Sequence, residues 1–369
     1  MEMVQFFLLI IAIVYALIVL LNAFSWHRNP NFKKGFSGKV SVVVALKDEP
    51  AVIDRLMGCL LQQNYSDYEI VLVNDHSTDD TFQQLKAYQV PEANIQVLDL
   101  VEGEGKKAAL AKGIAQSSGQ VILCTDADCT MNADWLDLMV RPFVSAQVEM
   151  VMGPVMLQGD GRWFARFQQM EFSSLMGFTG GMSGWRKPIF CNGANLAYRK
   201  SMFDFVKGFE GIDQIPTGDD ELLMRKCLKF SENSVVFQKN AQAVVLADVM
   251  PRWSAFVAQR LRWSSKWNVG KSWLEAIPAV AVFSLHALTL LFLVLGLIWP
   301  SFGETALMVL MVRFVSEGML LAGVHYQTKR PWDMLSFVVM FILYPFYAVY
   351  FGLLSWRSSY EWKGRVYQK

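Results

Sequence analysis

The 369-residue sequence predicts an α/β domain built on a largely parallel sheet and held at a membrane by apolar helices. Three observations carry this expectation. Hydrophobic residues make up 53% of the chain and charged residues only 18%, against about 25% charged in an ordinary soluble domain. The apolar residues gather into four runs long enough to cross a bilayer, at 4–24, 277–299, 305–326 and 334–356. Between the first and second runs, short β-rich stretches alternate with helical patterns, the grammar of a parallel α/β sheet.

The first run, within residues 1–26, starts MEMVQ, lacks a basic n-region and exceeds the length of a signal-peptide core, so an uncleaved anchor is expected. Arg28, Lys33, Lys34 and Lys39 follow it. By the positive-inside rule they put the soluble block, residues 38–250, in the cytoplasm, and a bacterial inner membrane is the expected location. Cys59, Cys124, Cys129, Cys191 and Cys227 are odd in number and form no CxxC pair, so neither a disulfide framework nor a zinc site is expected. A net charge of +1 excludes the basic footprint of a nucleic-acid partner.

Inside the block, KVSVVVAL, YEIVLVND, NIQVLDL and GQVILCTDAD read as buried strands, with helical periodicity over 51–63 and 81–88. Ligands of such sheets bind beyond the carboxyl ends of the strands. Three of those ends are acidic: LKDE, NDHSTDD and TDADC.

In TDAD the two-residue period puts Asp126 and Asp128 on one face of an extended segment, where two carboxylates suit a hard divalent cation; taken singly they read as turn or cap residues. GEGKKAALAKG lacks the spacing of a Walker loop and reads as a glycine-flexed turn into a helix. Lys106 and Lys107 fall in its first turn, where cations oppose the helix dipole unless an anion such as a diphosphate is near; a solvated lysine pair is the alternative. In PTGDDELL, Asp219, Asp220 and Glu221 stand where a helix begins and suffice as capping carboxylates.

Residues 251–275 mix tryptophans with arginines and lysines, as an amphipathic helix in a membrane interface does. Helical spacing puts Gln259, Arg262 and Trp263 on one face, and Gln259 serves no anchoring purpose there. Residues 277–356 then hold the later apolar runs. Arg313 and Glu317, one turn apart within them, are expected to pair. With four spans, the basic tail at 357–369, carrying Arg357, Lys363, Arg365 and Lys369, would end outside, against the positive-inside rule. Pro345 interrupts the last run, so a kinked or re-entrant segment is expected to return the tail to the cytoplasm.

In their order, SVVVALKDE, VNDHSTDDT, GKKAALAKG, TDAD, FCNGANLAYRK, GDDELL and QRLRW resemble the membrane-embedded family 2 glycosyltransferases of GT-A fold, a Rossmann-like arrangement shared by cellulose, hyaluronan and ceramide glucosyl-synthesising enzymes. The resemblance covers about residues 39–263 and the flanking helices. It implies a UDP-sugar donor whose uridine meets Asp75 in a pocket lined by Ala45 and Glu49. Lys106 would approach the diphosphate, and Asp126 and Asp128 would hold a Mg²⁺ or Mn²⁺ bridging it. Gln259, Arg262 and Trp263 would surround the leaving group, and Asp220 would be the base of an inverting transfer. On the acceptor side the resemblance implies Asn192, Gly193, Arg199 and Asp219.

Departures are the single aspartate of ND, the missing proline and asparagine of the first strand motif in ALKDE, and Asp248 where a glutamate is usual. Few helices follow the catalytic block, too few to enclose a polysaccharide channel within one chain. The expected acceptor is therefore a membrane lipid such as a ceramide, a diacylglycerol or a polyprenyl lipid. A processive polysaccharide synthase and an inactive nucleotide-sugar-binding scaffold are the alternatives.

Overall fold

The computed structural model describes residues 2–90, 94–215, 217–231, 233–264, 273–354, 359–362 and 365–368. The expected strands form as β1 (Val40–Leu46), β2 (Tyr68–Asn74), β3 (Ile95–Asp99) and β4 (Val121–Cys124). They pair in parallel in the order β3-β2-β1-β4. The near-continuous Val, Ile and Leu runs of β1, β2 and β4 are buried, as strands covered on both faces must be. Helices α2 (Ile53–Leu60), α3 (Thr81–Ala87) and α4 (Lys106–Gln116) make the connections.

Beyond β4 come α5 (Trp135–Val140), β5 (Met150–Met152), β6 (Val155–Gln158), α6 (Trp163–Gly184), β7 (Leu196–Arg199), α7 (Lys200–Phe205), α8 (Glu221–Leu228), β8 (Val235–Phe237) and β9 (Val245–Asp248). The main sheet continues as β4-β7-β5-β8, with β7 antiparallel to both neighbours, while β6 and β9 form a separate parallel pair. The reversed β7 decides the site, because its beginning lies beside the end of β4: Leu196 pairs with Cys124.

The chain opens with α1 (Glu2–Ser25) and later adds α9 (Trp253–Ser264), α10 (Trp273–Leu295), α11 (Pro300–Thr328), α12 (Met334–Leu354) and a hairpin of β10 (Ser359–Trp362) and β11 (Arg365–Gln368). Among the described residues, three helices are long and apolar enough to cross a membrane, at Glu2–Arg28, Pro300–Thr328 and Met334–Leu354; the run expected at 277–299 contributes the shorter apolar stretch Ala279–Leu295. Their outward faces carry exposed Phe6, Ile13, Leu17, Met311 and Phe346, side chains that suit lipid and not water. Arg313 and Glu317 form the expected pair, Nε to Oε1 at 2.9 Å, and Tyr15 of α1 donates to the same carboxylate at 3.0 Å.

Helix α6 has no counterpart in the sequence expectations, and it joins the two halves. It packs on α1, α11 and α12 as well as on β6. Gly180, Gly181 and Gly184 let α1 approach so closely that a methyl group on Gly184 would fall 1.9 Å from the Ser25 carbonyl oxygen. The Ser25 hydroxyl donates to the Gly181 carbonyl, closing the contact.

The stretch expected to form an interfacial helix begins with α9. Over Trp253–Ser264, Phe256, Arg260 and Leu261 are buried against protein, so α9 is packed against α6 and α12. Lys266, Trp267 and Lys271 lie outside the described residues, as do Arg357, Lys363 and Lys369 of the tail. No disulfide joins Cys59, Cys124, Cys129, Cys191 or Cys227.

Candidate active site

A cavity of about 270 Å³ opens at the carboxyl edge of the sheet. The antiparallel β7 creates it by bringing the turn before it, Asn192–Asn195, against the turn after β4. Asn195 is fully buried beneath. Its Oδ1 accepts from Trp135 Nε1 at 2.9 Å, and its Nδ2 donates to the carbonyls of Pro154 and Ala243 at 2.9 and 2.8 Å. Every polar atom of that side chain is therefore used to join α5, the segment between β5 and β6, and the approach to β9.

The charged end of the cavity is built on Lys106. Its ammonium lies 2.7 Å from Asp126 Oδ1 and 3.0 Å from Asp219 Oδ2. Burial would lower its pKa, but Asp126 and Asp219 raise it well above the ordinary value. Burial would likewise raise Asp126, yet Lys106, helped by Arg262, holds it below the usual carboxylate range. Asp128 faces the same space, and its backbone carbonyl accepts from Arg55 at 3.0 Å. Arg55 also pairs with Asp248 at 2.6 Å, fastening the TDAD turn to β9.

Lys107, for which a solvated pair with Lys106 was one alternative, is buried and donates to the carbonyls of Ile212, Ile215 and Thr217, with 2.9 Å to the last. It fastens the loop that leads to the acid pair.

Asp220 caps α8, as the sequence allows, accepting from Glu221 N at 2.6 Å, but it also accepts from Gly193 N at 3.1 Å. The second bond crosses the site and joins the two acceptor-side segments. Gly193 has a reason to be glycine, since a methyl group there would fall 3.0 Å from Asp219 and 3.2 Å from Lys106.

Of the expected site residues, Lys106, Asp126, Asp128, Asn192, Gly193, Asp219, Asp220, Gln259, Arg262 and Trp263 all line this one cavity. Asp75, Ala45 and Glu49 do not, but they stand at the same sheet edge. Asp75 is buried and accepts from Gly105 N at 3.1 Å, directly before Lys106. Glu49 N donates to Thr81 Oγ1 at 2.9 Å. Arg199 is a correction: at the far end of β7 it donates to the carbonyls of Phe143, Ser145 and Val148 and lies outside the cavity.

The sequence expectations missed the opposite wall. Gln168, Phe172, Leu175, Met176 and Thr179 of α6 line it, and Phe172 meets Trp263 with ring centroids 5.9 Å apart. Apolar residues at helical spacing were the available signal, but nothing in WFARFQQMEFSSLMGFTGGMSG marks one face as a cavity wall. Among the described residues no group of three or more His, Cys, Asp or Glu side chains is arranged to hold a metal ion. Asp126 and Asp128 nonetheless offer hard oxygens to a shared space, the donor type a Mg²⁺ or Mn²⁺ takes.

The family model described as glycosyl transferase family 2 matches residues 41–206. The poly-beta-1,6-N-acetyl-D-glucosamine synthase of Staphylococcus aureus is 27% identical over 156 residues, which are 42% of this chain and 37% of that protein. Glycosyltransferase AglE of Haloferax volcanii is 30% identical over 118 residues, 31% of this chain and 39% of its own. The matched segments thus span well under half of either relative. Among solved structures, the mannosyltransferase PcManGT from Pyrobaculum calidifontis, in complex with GDP-Man and Mn²⁺, superimposes with a TM-score of 0.58 over 94% of this chain and 99% of its own, at 18% identity. That likeness is one of fold, and the family match ends before Asp220 and QRLRW. Together with the sheet order and its reversed β7, the structural likeness shows a Rossmann-like α/β sheet of GT-A fold, within which residues 41–206, under half of the chain, match the glycosyl transferase family 2 model.

Proposed function

We propose that this chain transfers one sugar from a nucleoside diphosphate sugar, UDP-glucose or a similar UDP-sugar, to the hydroxyl of a membrane lipid with inversion at the anomeric carbon. The observation that carries the reading is the single cavity in which Lys106, Asp126, Asp128 and Arg262 face the apolar α6 wall, beside helices able to cross a membrane. The charged end suits a diphosphate and the wall suits an acyl or prenyl chain.

Asp126 and Asp128 would hold a Mg²⁺ or Mn²⁺, in keeping with the Mn²⁺ in the complex of the fold neighbour. When bound, that ion supplies positive charge to the departing diphosphate. Lys106 and Arg262 bind the same phosphates and stabilise the charge that develops as the sugar bond breaks. Gln259 and Trp263 orient the donor, and Asp75, fixed to Gly105, would meet the nucleoside. Asp220 accepts the proton from the acceptor hydroxyl. Its bond from Gly193 N holds the carboxylate toward the Asn192 turn, where the acceptor would lie.

One observation favours a second reading. The Staphylococcus aureus relatives are polysaccharide synthases by name, so a processive activity with a channel shared among several copies is the alternative. Product mass separates the two. The full-length chain in lipid nanodiscs, given Mn²⁺, UDP- and GDP-sugars and a total lipid extract, is expected to make a lipid heavier by one sugar. Asp220→Asn should slow that transfer by about 10²- to 10⁴-fold while leaving donor binding intact. A ladder of masses would establish the polymer reading, and no product with any donor would leave the scaffold reading standing.

A further inference from the structure

Gln259 and Trp263 line the cavity, and both are held by a residue between them that does not. The Arg260 guanidinium donates through Nη1 to Gln259 Oε1, through Nη2 to Glu171 of α6 and through Nε to the Tyr347 hydroxyl of α12 at 3.1 Å. It also lies over the Trp263 ring, 4.3 Å from its centroid, and over Phe256 at 4.2 Å. Tyr347 completes a closed triangle by donating to Glu171 Oε1 at 2.8 Å.

Arg260 and Glu171 are 6% and 3% exposed. A pair so buried is weak evidence for stability, because well-packed apolar side chains of similar volume often serve as well. Apolar side chains cannot reproduce the directional hold on an amide oxygen together with a cation against an indole face.

We propose that Arg260 is the positioning residue of the donor end: oriented by Glu171 and Tyr347, it fixes Gln259 and Trp263 and ties their placement to α12. The role rests on reading the cavity as a nucleotide-sugar site. Through it, the same guanidinium that sets two donor-binding side chains is bonded to a helix able to cross a membrane.

The test is binding of UDP and of GDP, with Mn²⁺, to the full-length chain in nanodiscs, by calorimetry beside thermal melts. The variant Glu171→Met/Arg260→Met removes both charges at once, so neither is left buried alone. It should melt close to wild type yet bind nucleotide about tenfold more weakly, the scale of a misplaced binding group. A merely structural pair would move the melting temperature and leave the affinity of the folded protein alone. Wild type binding and the double variant within about twofold of it would overturn the positioning role while sparing the site. Wild type that binds neither nucleotide would overturn the site reading, and the role with it. Should the double variant not fold, Tyr347→Phe decides, with an unchanged affinity counting against the role and a weakened one supporting it.

Discussion

Lys106 Nζ stands 2.7 Å from Asp126 Oδ1, so the chain itself supplies a cation to a carboxylate that a metal would share. About a third of each side chain remains accessible, 33% for Lys106 and 39% for Asp126, so solvent screens the pair and a ligand can reach it. Lys106→Met is therefore expected to act with opposite signs on two ligands. Mn²⁺ alone should bind about fivefold more tightly, because a competing charge is gone. UDP or GDP should bind at least about tenfold more weakly, having lost a charge-assisted contact. Counting free Mn²⁺ by electron paramagnetic resonance reads the first and calorimetry the second; weaker Mn²⁺ binding would refute the counter-ion role.

Glu69 sits at the opposite edge of the sheet, near the start of β2. It accepts from the Ser41 hydroxyl and Ser118 N at 2.6 Å each and from the Ser118 hydroxyl at 2.9 Å, with Lys39 at 3.3 Å. Burial would raise its pKa, but these bonds bring it below the ordinary value of 4.5. A depressed folded pKa means that the contribution is complete above the ordinary value and is lost as pH falls through the folded one. Glu69→Gln should cost about 1–3 kcal/mol at pH 7. The gap between wild type and variant should then narrow as the solution is acidified below about pH 4.3. Melting curves across that range check it, and a gap independent of pH would contradict the assignment.

The first four strands, the acid-bearing turns after them and the common face of Gln259, Arg262 and Trp263 were legible because each is a local pattern: period two, a strand end, helical spacing. What was not legible depends on contacts distant in sequence. The direction of β7 decides that Asn192 and Asp126 line one cavity, and no residue in FCNGANLAYRK encodes that direction alone. Arg199 shows the cost, since motif adjacency suggested a site role and the strand carries its side chain to the other end. Nothing in GKKAALAKG marks Lys107 as a fastener, because the loop it holds is 105 or more residues away. Helix α6 hid because it is covered on several sides at once, leaving no clean polar stripe.

The α1–α6 contact yields a paired prediction. A methyl group on Gly184 would fall 1.9 Å from a backbone oxygen, which only movement of a helix can relieve. Gly184→Ala should cost about 1–3 kcal/mol by overpacking. Gly58, in α2, has no atom within 4 Å of the same added carbon, so Gly58→Ala should be neutral or stabilise by about 0.5–1 kcal/mol through helix propensity. Thermal melts of the two variants in one detergent test the contrast. Equal melting temperatures would mean that α1 and α6 are not packed this tightly.

Helix α12 bears on the direction of the tail. At its start Asp333 pairs with Arg166 of α6 at 2.9 Å, and at its end Phe351 and Leu354 pack on Phe256 and Leu261 of α9. Both ends thus touch helices of the catalytic half, even though Pro345 lies inside one uninterrupted helix. A helix that carried the chain to the far face of a bilayer would place its ends about 30 Å apart across the hydrocarbon. Only one end would then meet the domain. The β10–β11 hairpin follows directly and lies beside α9. The tail is therefore expected on the same side of the membrane as the domain, which also removes the conflict with its basic charge. In a background of Cys59→Ser and Cys191→Ser, Lys34→Cys and Gln368→Cys should react with an impermeant maleimide from the same face, in inverted vesicles and not in right-side-out ones. Labelling of position 368 from the face opposite to position 34 would mean that α12 crosses after all and that its contacts with α9 do not hold in the bilayer.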